Sequence, residues 1–172
     1  DILEKSIRNL DAELLDILLF DRTTRKSILW ATDDYVSLGI GFETFSEITS
    51  DLITGRYATL IQPRTAKPKS AQVGRTRDKA EVFTPSWICN KQNNLIDTQW
   101  FGRTGVFNVE AGTSWTTSSE TISFHDAKKD WKKYVDAQRL EVSCGEAPYL
   151  VSRYDTVTGK KIPLYQRIGL LD

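Results

Sequence analysis

Methionine is missing from all 172 residues, histidine occurs once, cysteine twice, and the five prolines all stand alone. Each scarcity removes a class of chemistry. With His125 as the sole imidazole, a metal centre of several histidines is impossible, and a Ser-His-Asp triad would have to be built around that one residue. Its place beside Asp126, at the expected end of a strand, favours a surface or helix-capping role. Cys89 and Cys144 lie far apart and form no CxxC pair, which fits a reducing cytoplasm better than a secreted disulfide framework. No apolar run approaches the roughly 18 residues of a membrane span, and no basic-then-apolar leader opens the chain. Neither GxxxxGK[ST] nor GxGxxG is present, so phosphate-loop and simple dinucleotide readings fall away. Lys and Arg total 23 against 23 Asp and Glu, so a nucleic-acid surface would have to come from local segregation of charge. The lack of an initiating methionine and the apolar run before Asp172 lead us to expect part of a longer protein.

What is present is ordinary for a folded protein: 40% hydrophobic and 27% charged residues, enough for a compact core. Leu3, Ile7, Leu10, Leu14 and Leu18 fall on one face of an amphipathic helix spanning residues 2–20. Residues 21–26 are a polar connection, and 27–31 have strand length. Residues 46–54 read as a helix closed by Gly55, and 57–61 as a strand. Thr84 and Pro85 have the chemistry of a helix start, Thr84 as cap, with Trp87, Ile88, Leu95 and Ile96 on the buried side. Alternation across 105–124 predicts a β-hairpin or meander, 126–138 a helix, and 140–143 a strand running into Cys144-Gly145. Asp33-Asp34 could do acid-base work but reads more simply as a turn.

Residues 62–80 differ in character. Pro63, Pro68 and Gly74 break regular structure, and Arg64, Lys67, Lys69, Arg75, Arg77 and Lys79 face only Asp78. Such a stretch reads equally as a solvated linker or as a loop that grips nucleic-acid phosphates.

The most informative segment is residues 139–151, a short strand ending in a glycine turn, where a backbone can approach a ligand closely. Glu141-Val142-Ser143-Cys144-Gly145-Glu146-Ala147-Pro148-Tyr149-Leu150 resembles the first motif of DNA adenine-N6 methyltransferases, Asp-Pro-x-Cys-Gly-x-Gly-x-Phe-Leu. Upstream, Val82-Phe83-Thr84-Pro85 resembles the Phe-Thr-Pro motif of restriction-modification methylase subunits, and the order of the two is that of the family. Residues 28–35, 79–97 and 144–155 together are similar to a bacterial family described as restriction endonuclease subunit M.

The resemblance implies an α/β chain forming the N-terminal portion of an S-adenosylmethionine-dependent methyltransferase, with a Rossmann-like sheet incomplete in this chain. It implies a helical and mixed region at 1–61, a basic linker or DNA-contacting loop at 62–80, and the start of the cofactor-binding domain at 81–172. By position, Phe83, Thr84, Pro85, Glu141, Ser143, Cys144, Gly145, Glu146 and Ala147 would cradle S-adenosylmethionine, and DNA, together with a restriction or specificity subunit, would be the partner. No metal is required. Ala147 replaces the second glycine of the motif. The [Asp/Asn]-Pro-Pro-[Tyr/Phe] motif that holds a flipped adenine is absent from these residues, so no catalytic residue is assigned. The other reading is a noncatalytic DNA-binding or assembly protein on a degenerate methyltransferase frame.

Overall fold

The computed structural model describes residues 4–11, 13–124, 130–142 and 145–172, and the chain divides into two units, 1–62 and 63–172. The class is mixed α/β with small sheets: both sheets found among the described residues are two-stranded and antiparallel.

In the first unit, the single helix expected over 2–20 is two, α1 (Glu4–Leu10) and α2 (Leu14–Leu19). Asp11 accounts for the break. Its carboxylate accepts the Glu13 amide at 2.8 Å, drawing the backbone out of the helical ladder as short acidic side chains tend to do. The break also resets the buried face. Leu15 and Leu19 are buried, whereas Leu10 and Leu18 of the expected stripe are exposed.

A hairpin follows, β1 (Phe20–Asp21) against β2 (Lys26–Ser27), closed by Asp21, which accepts the Thr23 amide and the Thr24 hydroxyl. The chain then pairs as a bridge between Leu29 and Glu47. The helix expected at 46–54 is therefore replaced by this pairing and a 3-10 turn at Ser50–Leu52, and the strand expected at 57–61 by a 3-10 turn at Gly55–Tyr57. Trp30 is the centre of the core. Its ring stands 5.2 Å from Tyr35 and 5.7 Å from Phe42, and its indole N–H reaches the Gly41 carbonyl at 2.9 Å, so the apolar ring is buried without orphaning its donor.

The second unit holds a 3-10 turn at Arg64–Ala66, α3 (Lys69–Lys79), α4 (Ser86–Phe101), the hairpin β3 (Asn108–Ala111) and β4 (Ser114–Thr117), α5 (Trp131–Asp136) and a 3-10 turn at Leu164–Gln166. The expected hairpin in 105–124 is present. The basic stretch is mostly helix rather than loop, because Pro68 sits just outside the first turn, where its missing N–H costs nothing. Residues 140–142 form no strand; His125, Asp126, Ser143 and Cys144 lie outside the described residues. α5 begins at Trp131, with Asp130 capping it through the Lys133 amide at 2.9 Å.

α4 turns its polar side inward. Ser86, Cys89, Asn90 and Asp97 are buried, while Leu95 and Ile96, expected inside, are exposed. Its start also differs from expectation: the helix opens at Ser86 after Pro85, and Thr84 makes no side-chain cap. The free amide of Ser86 is met instead by Asp155, 69 residues on, at 2.7 Å. Asp155 is itself set by the turn it opens, its other oxygen accepting the Val157 and Thr158 amides and the Thr158 hydroxyl. Burial works to raise this carboxyl, but the Ser86 and Thr158 donors outweigh it and hold it below the ordinary aspartate value. A lowered folded-state value stabilises the fold above the unfolded value and is lost as pH falls through it. Asp155→Ala should cost about 1–2 kcal/mol at neutral pH, measured by urea unfolding, and the deficit should begin to shrink below the ordinary aspartate value of about 4 and close only once pH falls through the lowered folded-state value, where Asp155 is neutral too.

Candidate functional site

The two motif segments, some sixty residues apart in sequence, meet in space. Gly145 has φ +51°, and a Cβ added there would stand 3.1 Å from Cε1 of Phe83. The ring of Phe83 therefore lies directly on the turn, and only a residue without a side chain permits that approach. Ala147 has φ +51° as well, a left-handed conformation that L-residues with a Cβ rarely adopt. The two positions where the resembled motif carries glycine are thus the two positions of this turn that need φ above zero. The Ala147 carbonyl then accepts the Leu150 and Val151 amides at 3.0 Å, one helical turn that goes no further.

Around this contact the other residues take up distinct work. The Thr84 carbonyl accepts the Thr156 hydroxyl at 2.9 Å and the Cys89 thiol at 3.7 Å. Burial pushes that thiol up to about 11, so Cys89 is an inert core group. Glu146 accepts the Arg64 amide at 2.7 Å on one oxygen and the Tyr154 hydroxyl at 2.6 Å on the other. Glu141 is different: both carboxylate oxygens are shut from solvent with no partner at ordinary hydrogen-bond geometry. Burial pushes its carboxyl above the usual range, with the Tyr149 amide opposing only in part.

Beside the turn lies a cavity of about 780 Å³, within the size range of small-molecule sites. The flanks of the turn, Glu141, Val142, Tyr149 and Leu150, form part of its wall. The inward face of α4 forms another. Asn90 and Asn108 exchange reciprocal amide bonds at 2.9 Å, Asn94 donates to Asn108 and Glu110 at 3.0 Å, and Asn93 reaches the carbonyls of Tyr149 and Ile168. Asp97 accepts the Tyr134 hydroxyl, whose ring carries the Arg139 guanidinium at 4.5 Å. Burial raises the Asp97 carboxyl against the pull of both neighbours. Phe107, Phe124 and Tyr134 add aromatic lining, and Phe101 packs against all three rings at centroid distances of 5.3–5.7 Å. The lining therefore combines aromatic rings with amides and carboxylates, most of the latter already bonded to one another or to the backbone.

The basic residues do not act as one patch. Arg64 lies over the Phe83 ring at 5.2 Å and donates to Thr76 at 3.1 Å, and Arg75 is ion-paired with Glu81, so both serve the fold. Lys69 and Arg77 are exposed on α3, Lys67 is half-buried, and Lys79 closes the helix. Comparison of the chain with protein families, with curated proteins and with solved structures gave no significant match. The site therefore stands on its own geometry.

Sequence reading missed the α4 amides, although Asn90, Asn93, Asn94 and Asp97 stand at helical spacing and mark one face. It also gave Tyr154 no part in the site.

Two predictions follow from the turn. Ala147→Gly relieves the left-handed strain and should stabilise the protein by about 1 kcal/mol, after the added flexibility of the unfolded chain is set against it, read as a higher Tm. Glu141→Gln should raise Tm at pH 8. A carboxyl raised by burial destabilises the fold increasingly as pH climbs above its unfolded value, so the gain should vanish near pH 4, where both states hold the proton.

Proposed function

We propose that this chain carries the cofactor-binding portion of a DNA adenine-N6 methyltransferase, or of the methylase-like subunit of a restriction-modification system, acting in the cytoplasm. The observation that carries this reading is the coincidence at the turn. The two motif positions that resemble glycines are the two with positive φ, and the turn they form is seated on the phenylalanine of the Phe-Thr-Pro segment. The adjoining cavity supports the reading by its size and by the aromatic, amide and carboxylate groups in its lining, to which Glu141 belongs while Phe83, Thr84, Pro85, Gly145, Glu146 and Ala147 lie outside it. The described residues supply no strand of a Rossmann-like sheet, both of their sheets being antiparallel hairpins, so on this reading that sheet is built from other residues.

In this reading the protein positions the cofactor and the chain supplies no catalytic group, since no Pro-Pro-aromatic segment occurs in it. DNA would lie along the exposed face of α3, with Lys69 and Arg77 as its phosphate contacts and Arg64 and Arg75 fixing the segment from beneath. A restriction or specificity subunit would complete the assembly.

One observation favours the second reading, a noncatalytic DNA-binding or assembly protein on a degenerate frame. Of the residues the resemblance places on the cofactor, Phe83, Thr84, Pro85, Gly145, Glu146 and Ala147 do not line the cavity. Isothermal titration of the chain with S-adenosylmethionine separates the two. We expect saturable binding to the wild type and none to Gly145→Val, whose side chain would strike Phe83. No binding to the folded wild type, with salt-sensitive DNA binding retained, would leave the second reading in place.

A further inference from the structure

Glu146 occupies the variable position between the two glycine-like residues, and both of its oxygens are committed elsewhere. One accepts the backbone N–H of Arg64, at the head of the basic segment, and the other accepts the Tyr154 hydroxyl. Tyr154 pairs across a bridge with Lys161, closing the loop that contains Asp155. That loop abuts the same basic segment, since a Cβ added to Gly159 would stand 2.9 Å from Thr65 Oγ1. It also returns to the Phe-Thr-Pro segment: Asp155 accepts the amide of Ser86, just after it, and the Thr156 hydroxyl donates to the Thr84 carbonyl. Arg64 closes the circuit by lying on Phe83, the ring beneath Gly145, while bonding Thr76 on α3. The glycine turn, the Phe-Thr-Pro segment, the 155–159 loop and the start of the basic segment therefore share one bonded circuit, and Glu146 joins two of its arms directly to the turn.

We infer that Glu146 is a positioning residue that couples the basic segment to the glycine turn, so that a polyanion held on α3 and a ligand held at the turn strengthen each other's binding. The inference rests on the cofactor reading above. Its physical basis is ordering. Phosphates that fix the basic segment also fix the Arg64 amide, which holds the Glu146 carboxylate and with it the strained turn. The second ligand then meets a turn already ordered, and linkage makes the effect reciprocal.

The test is the dissociation constant of S-adenosylmethionine, measured by titration calorimetry on the whole chain with and without a saturating short DNA duplex. It is repeated for Glu146→Ala, Glu146→Gln and Tyr154→Phe. In the wild type the duplex should tighten cofactor binding by about 5-fold or more. Glu146→Ala should bind the cofactor more weakly and lose the duplex effect. Glu146→Gln keeps an acceptor for Arg64 and should recover most of it. Tyr154→Phe removes one bond only and should give an intermediate ratio, which keeps the test open if Glu146→Ala fails to fold. A wild type whose cofactor affinity ignores DNA overturns the inference, as does a variant series in which the ratio stays constant. A wild type that binds no cofactor at all overturns the underlying reading first, and that result is visible before any variant is made.

Discussion

The second unit is organised by a constraint more often met in designed cores than in short helical proteins: a helix whose buried face is polar. Asn90 and Asn108 are 1% and 5% exposed, and burying two amides is tolerable only if each supplies the other's donor and acceptor. Their reciprocal pairing satisfies that demand at one relative placement of α4 and β3, because an amide pair tolerates little displacement. Asn94, Asn93 and Asp97 extend the same logic along the helix to Glu110, to the backbone at Tyr149 and Ile168, and to Tyr134. Where apolar packing would allow the helix to slide or roll, this face fixes it. The motif turn, which hangs on α4 through Asn93, and the cavity beside it inherit that precision.

The same face explains why α4 was legible in outline and wrong in orientation. That a helix begins near Thr84-Pro85 follows from local chemistry, which acts whatever the helix packs against, although it opens at Ser86 without a Thr84 cap. Which side goes inward is a tertiary outcome, and the rule that places Leu95 and Ile96 inside assumes an apolar core. In α1 and α2 the failure has another cause, since one residue, Asp11, diverts a backbone bond and shifts the buried stripe from Leu10 and Leu18 to Leu15 and Leu19. The strands expected at 57–61 and 140–143 were short apolar runs with no partner specified by sequence, and strands exist only by pairing. The turn at Gly145 was legible because glycine takes positive φ without penalty, whereas the same conformation at Ala147 is imposed by its surroundings and has no local signal.

Charge behaved differently from composition. The basic segment contrasts with a chain of zero net charge, yet its arginines are largely spent inside the unit, Arg64 on Phe83 and Arg75 on Glu81. Glu81 is held below the ordinary glutamate value chiefly by its bond to Arg75, as expected of a carboxylate in a satisfied pair. What the sequence displays as one cationic run is resolved by helix periodicity into a structural side and an exposed side bearing Lys69 and Arg77.

Two carboxylates beside the turn show opposite economies. Glu146 is fully engaged, joining three stretches of chain through Arg64 and Tyr154, so removing it would release several elements at once. Glu141, five residues earlier, is half-buried with both oxygens shut from solvent and no partner at ordinary hydrogen-bond geometry, an arrangement that folding alone disfavours because the Tyr149 amide compensates it only in part. Such a cost persists in a native structure when the group serves something other than stability. Glu141 lies in the wall of the cavity, two residues after Arg139, and on the proposed cofactor reading ligand binding is the use that would offset the cost. The carboxylate would gain its missing donors by turning from the protein interior toward a ligand. Stability and binding then pull on Glu141 in opposite directions, and a substitution that strengthens the fold at neutral pH is one that should weaken the site.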